Sequence, residues 1–191
     1  MKSLLVIATL LGSMAQAMDM TTMPWTAQVD MRQTATDKGT ACTGTCTVDT
    51  QTFFAVGATT KFDLANNFAL RTGGILAQRG YKQTNASVSD TVNFTYLDVP
   101  VLPEYQFNEM FSAHAGLVVG LKAARSCGVS SGCTNITDKS LVTPLQVGGT
   151  YNIDKQWAAK LTFETGTTLF TDTTNDFKTA NAIALGGAYT F

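Results

Sequence analysis

The chain has 191 residues, a formal net charge of −1 and only 14% Asp, Glu, Lys and Arg, against about 25% in an average soluble protein. Without a cationic excess it lacks the footprint that grips a nucleic-acid backbone, which excludes nucleic acid as a partner. The length predicts one domain, with a surface dominated by something other than charge.

Residues 1–17 read as a secretory signal peptide: Lys2 is the positive end, Leu4 to Leu11 the apolar core, and Ala15-Gln16-Ala17 the cleavage site. The mature domain is then 18–191. It contains no apolar run near the roughly 20 residues a membrane-spanning helix needs, so any crossing is by strands.

Trp25, Ala27, Val29 and Met31 alternate with Thr26, Gln28, Asp30 and Arg32, the period-2 signature of a strand with one apolar face. Gln33 to Gln51 is polar and is expected as a long loop. Strand two is expected from Thr52 to Phe62, turning at Asp63–Asn67, and strand three from Phe68 to about Tyr81, with Arg71 and Arg79 on one face. A polar loop at Lys82–Asp90 precedes strand four, Val92–Phe107, where Pro100 and Pro103 remove ladder donors and predict a bulge. Asn108-Glu109 turns into strand five, Phe111–Lys122, followed by a loop at Ala124–Ser140. Strand six, Leu145–Ile153, turns at Asp154–Gln156 into strand seven, Trp157–Glu164. A fourth polar loop, Thr167–Asp176, leads to Ala182–Phe191, where Ile183, Leu185, Gly187, Tyr189 and Phe191 share one face.

Four cysteines form two close pairs, Cys42 with Cys46 and Cys127 with Cys133, in Gly/Ser/Thr-rich segments. Export permits disulfides, and one bridge within each pair is the simplest of three connectivities. The spacings Cys-x3-Cys and Cys-x5-Cys without a nearby His are poor zinc ligation, so no metal or other cofactor is expected.

Two segments carry a family resemblance. Ala182–Phe191, ending on an aromatic residue, resembles the C-terminal strand of bacterial outer-membrane barrels, where it is the assembly signal. Tyr96-Leu-Asp-Val-Pro-Val-Leu-Pro-Glu-Tyr-Gln-Phe107 resembles a strand of the porin-family outer-membrane β-barrel domain, departing from its pattern at Pro103. Together with the strand count, the resemblance implies an all-β, eight-stranded antiparallel up-and-down transmembrane β-barrel of the OmpA/OmpX type in the bacterial outer membrane. It also implies outer-membrane lipids and the barrel assembly machinery, engaged through the last strand, as partners. Three short connections alternating with four long ones match periplasmic turns and extracellular loops. Trp25, Phe62, Phe68, Phe107, Phe111, Trp157 and Phe191, all beside the short turns, are the expected aromatic girdle.

Parity places Asp30, Arg32, Lys61, Arg71, His114, Lys122, Lys160 and Glu164 in the lumen, with Asp98 and Glu104 dependent on the bulge. An eight-stranded barrel is just wide enough for side chains to fill, so a salt-bridged plug is expected, with a narrow ion path as the alternative. Ser112 and His114 could suggest a hydrolytic pair, but their order and inward facing oppose it, and no enzyme activity is expected. Ala27, Thr72, Gly74, Ala113, Ala115, Gly149, Thr165 and Gly187 make parts of the outer face small. Such faces let barrels pack side by side as a homo-oligomer, or simply ease curvature. The expected function is a non-catalytic outer-membrane protein serving envelope structure, surface contact or lipid organisation. The alternatives are a narrow passive channel and a loop-mediated adhesin.

Overall fold

The computed structural model describes residues 24–36, 47–85, 88–128, 137–165, 168–171 and 176–191. The signal segment, Cys42, Cys46 and Cys133 lie outside these residues, as does the side chain of Cys127. The described residues form twelve strands: β1 (Trp25–Thr36), β2 (Thr47–Asp49), β3 (Gln51–Ala65), β4 (Phe68–Asn85), β5 (Val88–Gln106), β6 (Phe111–Cys127), β7 (Thr137–Asp138), β8 (Leu141–Val142), β9 (Leu145–Asn152), β10 (Trp157–Thr165), β11 (Thr168–Thr171) and β12 (Asp176–Thr190). Eight of them pair in the order β1-β3-β4-β5-β6-β9-β10-β12, and β12 returns to β1. The sheet is a closed, antiparallel, eight-stranded barrel. Closure is continuous from Thr26 opposite Thr190 to Thr34 opposite Ala182, and the Phe191 amide donates to the Trp25 carbonyl at 3.0 Å. The terminal strand therefore leaves no bare edge against β1.

Alternation sets the two faces. Outward Val29, Phe54, Leu145, Leu161 and Leu185 are 55–58% exposed, whereas inward Ala184, Thr162 and Ala55 are buried. A continuous apolar exterior around a closed ladder is stable only where the surroundings are lipid. The end carrying Pro24, Phe191 and the short turns is called the lower rim here. Two of its turns use one device. Asn108 Oδ1 accepts the amides of Met110 and Phe111, both at 2.9 Å, and Asp154 Oδ1 accepts those of Gln156 and Trp157 at 2.7 and 2.6 Å. In the third, Asn67 takes a positive φ of 65°, a conformation Asn tolerates better than most residues.

Three expectations about the strands need correction. The bulge at the prolines is absent: Arg71–Leu102 and Ile75–Asp98 keep one register toward β4, and Val101–Leu117 and Glu104–His114 keep one toward β6. Residues 100 and 103 have opposite parity, so each proline omits its donor toward a different neighbour, and neither ladder has to slip. The β5–β6 irregularity falls instead at Thr95/Tyr96. Second, Lys82–Asn85 and Val88–Asp90 are strand rather than loop, since β4 and β5 pair up to Asn85 opposite Val88. Above the lipid belt neither face has to be apolar, so the hydrophobic period that marks a membrane strand is missing there. For the same reason β6 continues to Cys127, and Thr168–Thr171 forms β11, paired with a β12 that starts at Asp176. Third, the loops expected at Gln33–Gln51 and Ala124–Ser140 contain strand, since β1 runs to Thr36 and β2 and β7 lie within them, while β8 pairs with β6 just ahead of the expected sixth strand, which β9 reproduces.

Candidate functional site

Each buried polar side chain in the lumen needs room on the neighbouring strand. Asp30 is paired across the ladder with Gly186, Asp98 with Gly120, and His114 with Gly148. A Cβ on Gly186 would lie 1.9 Å from Asp30 Oδ1, one on Gly120 2.6 Å from Asp98 Oδ1, and one on Gly148 2.8 Å from His114 Nε2. Glycine between two longer side chains lets them reach over it. Lys160, on the far side of Gly186, thus comes within 3.7 Å of Asp30.

The upper half of the polar lumen is built around Arg79. Its Nη1 and Nη2 donate to Asp98 Oδ1 and Oδ2 at 2.9 and 2.8 Å, and its Nε and Nη2 donate to Glu164 Oε1 and Oε2, both at 3.1 Å. Arg32 donates to the same Glu164 and stands 3.9 Å from Asp98. Two guanidinium groups thus meet two carboxylates from β1, β4, β5 and β10, a bidentate arrangement of the strong kind. The space left among Gln28, Asp30, Arg32, Asp98, Gln146 and Glu164 is about 20 Å³, enough for about one water. Arg79 also lies 5.3 Å from the centre of the Tyr96 ring. Phe53, Phe94, Tyr96 and Val92 are buried too, so the inner face is partly apolar rather than polar throughout.

The lower half is assembled differently. Lys61 and Arg71 sit opposite each other on β3 and β4, a repulsive pair by itself. Glu104 bridges them: Lys61 Nζ donates to Oε1 at 2.5 Å, and Arg71 Nη2 stands 2.6 Å from Oε2. Arg71 Nη2 also reaches across to Thr150 Oγ1 at 3.3 Å. Lys160 donates to Gln28 Oε1 at 2.6 Å, and Gln28 Nε2 donates to Asp30 Oδ2 at 3.2 Å. Below Lys61 a cleft of about 600 Å³ opens at the rim, lined by Asp63, Asn67, Glu104 and Gln106 among others.

All the expected lumen residues therefore face inward, and Arg32 and Glu164 join one cluster while Lys61, Arg71 and Lys160 join the other. Lys122 is half-buried on β6 opposite Tyr96. Arg79, the hub, was absent from the expected lumen set although it shares a face with Arg71; that parity was the available signal. Neither nitrogen of His114 has a hydrogen-bond partner, so no nucleophile–base contact joins it to Ser112. At the lower rim Phe68, Phe107, Phe111, Trp157 and Phe191 are exposed, and Trp25 and Phe62 are partly covered. Three tyrosines not read from sequence interleave with them: Tyr105 lies 4.8 Å from Phe68, Tyr151 4.9 Å from Phe111, and Tyr189 4.9 Å from Trp157, centre to centre.

A closed eight-stranded barrel with an apolar outer belt and an ion-paired interior defines a small outer-membrane barrel. The family described as outer membrane protein beta-barrel domain matches residues 48–170, and the chain belongs to that family and to the bacterial outer membrane. No curated protein sequence matches it. Among solved structures it is similar to the outer membrane protein OprG of Pseudomonas aeruginosa, at 10% identity and a TM-score of 0.52 over 88% of this chain and 96% of that one. It is also similar to Ail, the attachment invasion locus protein of Yersinia pestis, solved with the heparin analogue sucrose octasulfate, at 17% identity and a TM-score of 0.51 over 88% and 99%. Neisserial surface protein A gives 9% identity and a TM-score of 0.51 over 88% and 97%. At these identities the likeness is one of fold.

Proposed function

We propose that this protein is a non-conducting, non-catalytic barrel that acts through its outer surfaces, in envelope structure, surface contact or lipid organisation. The observation that carries this reading is the Arg32–Arg79–Asp98–Glu164 cluster, which spans the lumen and leaves about 20 Å³ beside it. Single-channel recording in planar bilayers is the test: the wild-type barrel is expected to show no conductance steps, and steady steps that change in Arg79→Ala would replace this reading with the narrow channel.

Surface contact is favoured by β4 and β5, which stay paired beyond the apolar belt as far as Asn85 and Val88. The Ail structure, that of an attachment protein, points the same way by analogy of fold alone. Exchanging residues 82–90 for a short turn should abolish cell-surface binding and leave the barrel folded. Outer-membrane lipid is the partner of the belt, and the assembly machinery that of β12. Side-by-side association would use the row of small residues in which Ala58 pairs with both Ala27 and Gly74. A native mass equal to one barrel in mild detergent would remove the oligomer.

A further inference from the structure

The two halves of the polar lumen differ in how complete they are. In the upper cluster two arginines face two carboxylates, and every side-chain nitrogen of Arg79 and every carboxylate oxygen of Asp98 and Glu164 has a hydrogen bond. In the lower half three cations, Lys61, Arg71 and Lys160, share two carboxylates, Glu104 and Asp30. The unpartnered buried atoms of these lumen groups gather there: Arg71 Nε, both nitrogens of His114, Asp30 Oδ1 and Glu104 Oε2. The last two carry close charges without a hydrogen bond: Lys160 Nζ is 3.7 Å from Asp30 Oδ1, and Arg71 Nη2 is 2.6 Å from Glu104 Oε2.

Arg71 and His114 are 5% and 2% exposed. They occupy one level of the barrel: Glu104, in contact with Arg71, is paired across the ladder with His114, and Thr150, bonded by Arg71, pairs with Ser112, two residues before His114. Arg71, Lys160, Glu104 and Lys61 are the charges that act on the imidazole. Buried donors without acceptors are rare in folded proteins, and an uncompensated buried cation is costlier still. What this half lacks is an acceptor bearing one negative charge.

We propose that the lower lumen binds a small monovalent anion of chloride size, held by Arg71 Nε–H and an N–H of His114, with the Ser112 hydroxyl turning to join them. It is reached from the rim cleft past Lys61, whose side chain is 37% exposed. The anion completes the charge balance and fixes the lower wall as the arginine pair fixes the upper one.

The test uses the refolded full barrel. Urea unfolding midpoints in sodium chloride and in sodium gluconate at equal ionic strength should differ for the wild type, with chloride giving the higher midpoint, since a ligand bound only by the native state stabilises it. Lys61→Gln removes the surplus charge at a half-exposed position and should abolish the difference. Crystals soaked in sodium bromide should show an anomalous peak beside Arg71 Nε and His114. Equal midpoints in the two salts, a chloride effect that survives Lys61→Gln, or a halide-free site filled by water would each overturn the proposal.

Discussion

Glycine pairs show how far one atom decides the fate of a residue in this wall. In each of Gly73-Gly74, Gly148-Gly149 and Gly186-Gly187 the first glycine faces the lumen and the second the lipid. A Cβ on Gly186 would meet Asp30 Oδ1 at 1.9 Å and the Val29 carbonyl at 2.7 Å, whereas one on Gly187 would meet nothing within 4 Å. Gly186→Ala should therefore lower unfolding stability by about 1–3 kcal/mol, the usual cost of overpacking. Gly187→Ala should leave it unchanged or raise it by about 0.5 kcal/mol through the unfolded chain. Urea titrations of both variants in detergent decide this, and equal midpoints would mean that the lumen wall yields.

Asp154 offers a second test at this scale. The amides of Trp157 and Gln156 hold its carboxyl below the usual carboxylate range. A depressed folded value means that the ionised group supports the turn at neutral pH and loses that support as pH falls through the folded value. Asp154→Asn keeps an acceptor but no charge, so it should be less stable than wild type near neutrality, and the gap should close on acidification. A gap independent of pH would assign the turn's stability to shape alone.

Among the elements, β12 has the most direct prediction. Phe191 contributes one backbone bond to Trp25 and a ring 5.2 Å from Tyr189, interactions worth about 1 kcal/mol each. Deleting it should lower the unfolding midpoint of the refolded barrel only slightly. If the residue is also read by the assembly machinery, its loss should cut the heat-modifiable barrel in cell envelopes several-fold. Equal levels in cells would confine Phe191 to packing. The strands inside the apolar belt were legible because alternation there is compulsory: lipid outside and a filled lumen inside leave each position one face to suit. Lys82–Asn85, Val88–Asp90 and Thr168–Thr171 were not legible as strands, because water on both sides removes that constraint while backbone pairing continues. Asp98 and Glu104 were readable only once register was known, and the unshifted ladder past Pro100 and Pro103 settles both inward. The choice of Arg79 as hub depends on which side chains from β1, β5 and β10 reach one level, a fact of strand tilt that no local pattern carries.

For the whole molecule the central question is why so narrow a lumen contains charge at all. Removing one member of a buried ionic cluster strands its partners, at a typical cost of about 3–5 kcal/mol, whereas replacing the whole cluster by apolar residues of similar volume is often neutral or stabilising. Arg79→Met alone should thus be strongly destabilising, with Asp98 and Glu164 left to Arg32. Arg32→Met, Arg79→Met, Asp98→Leu and Glu164→Leu together should recover most of the loss, a non-additivity measurable by urea unfolding. Stability, then, does not explain the cluster, but register does. A slip of one residue turns a strand's inward set to the lipid, where a cation near the bilayer midplane costs about 2–4 kcal/mol. The charges penalise every slipped closure, while Leu and Met would be content on either face. The fourfold variant should therefore match the wild type in unfolding midpoint yet show multiple amide resonances for β4 and β10 in micelles, where the wild type shows one set. A single sharp set from the variant would mean that the alternating belt alone fixes the register.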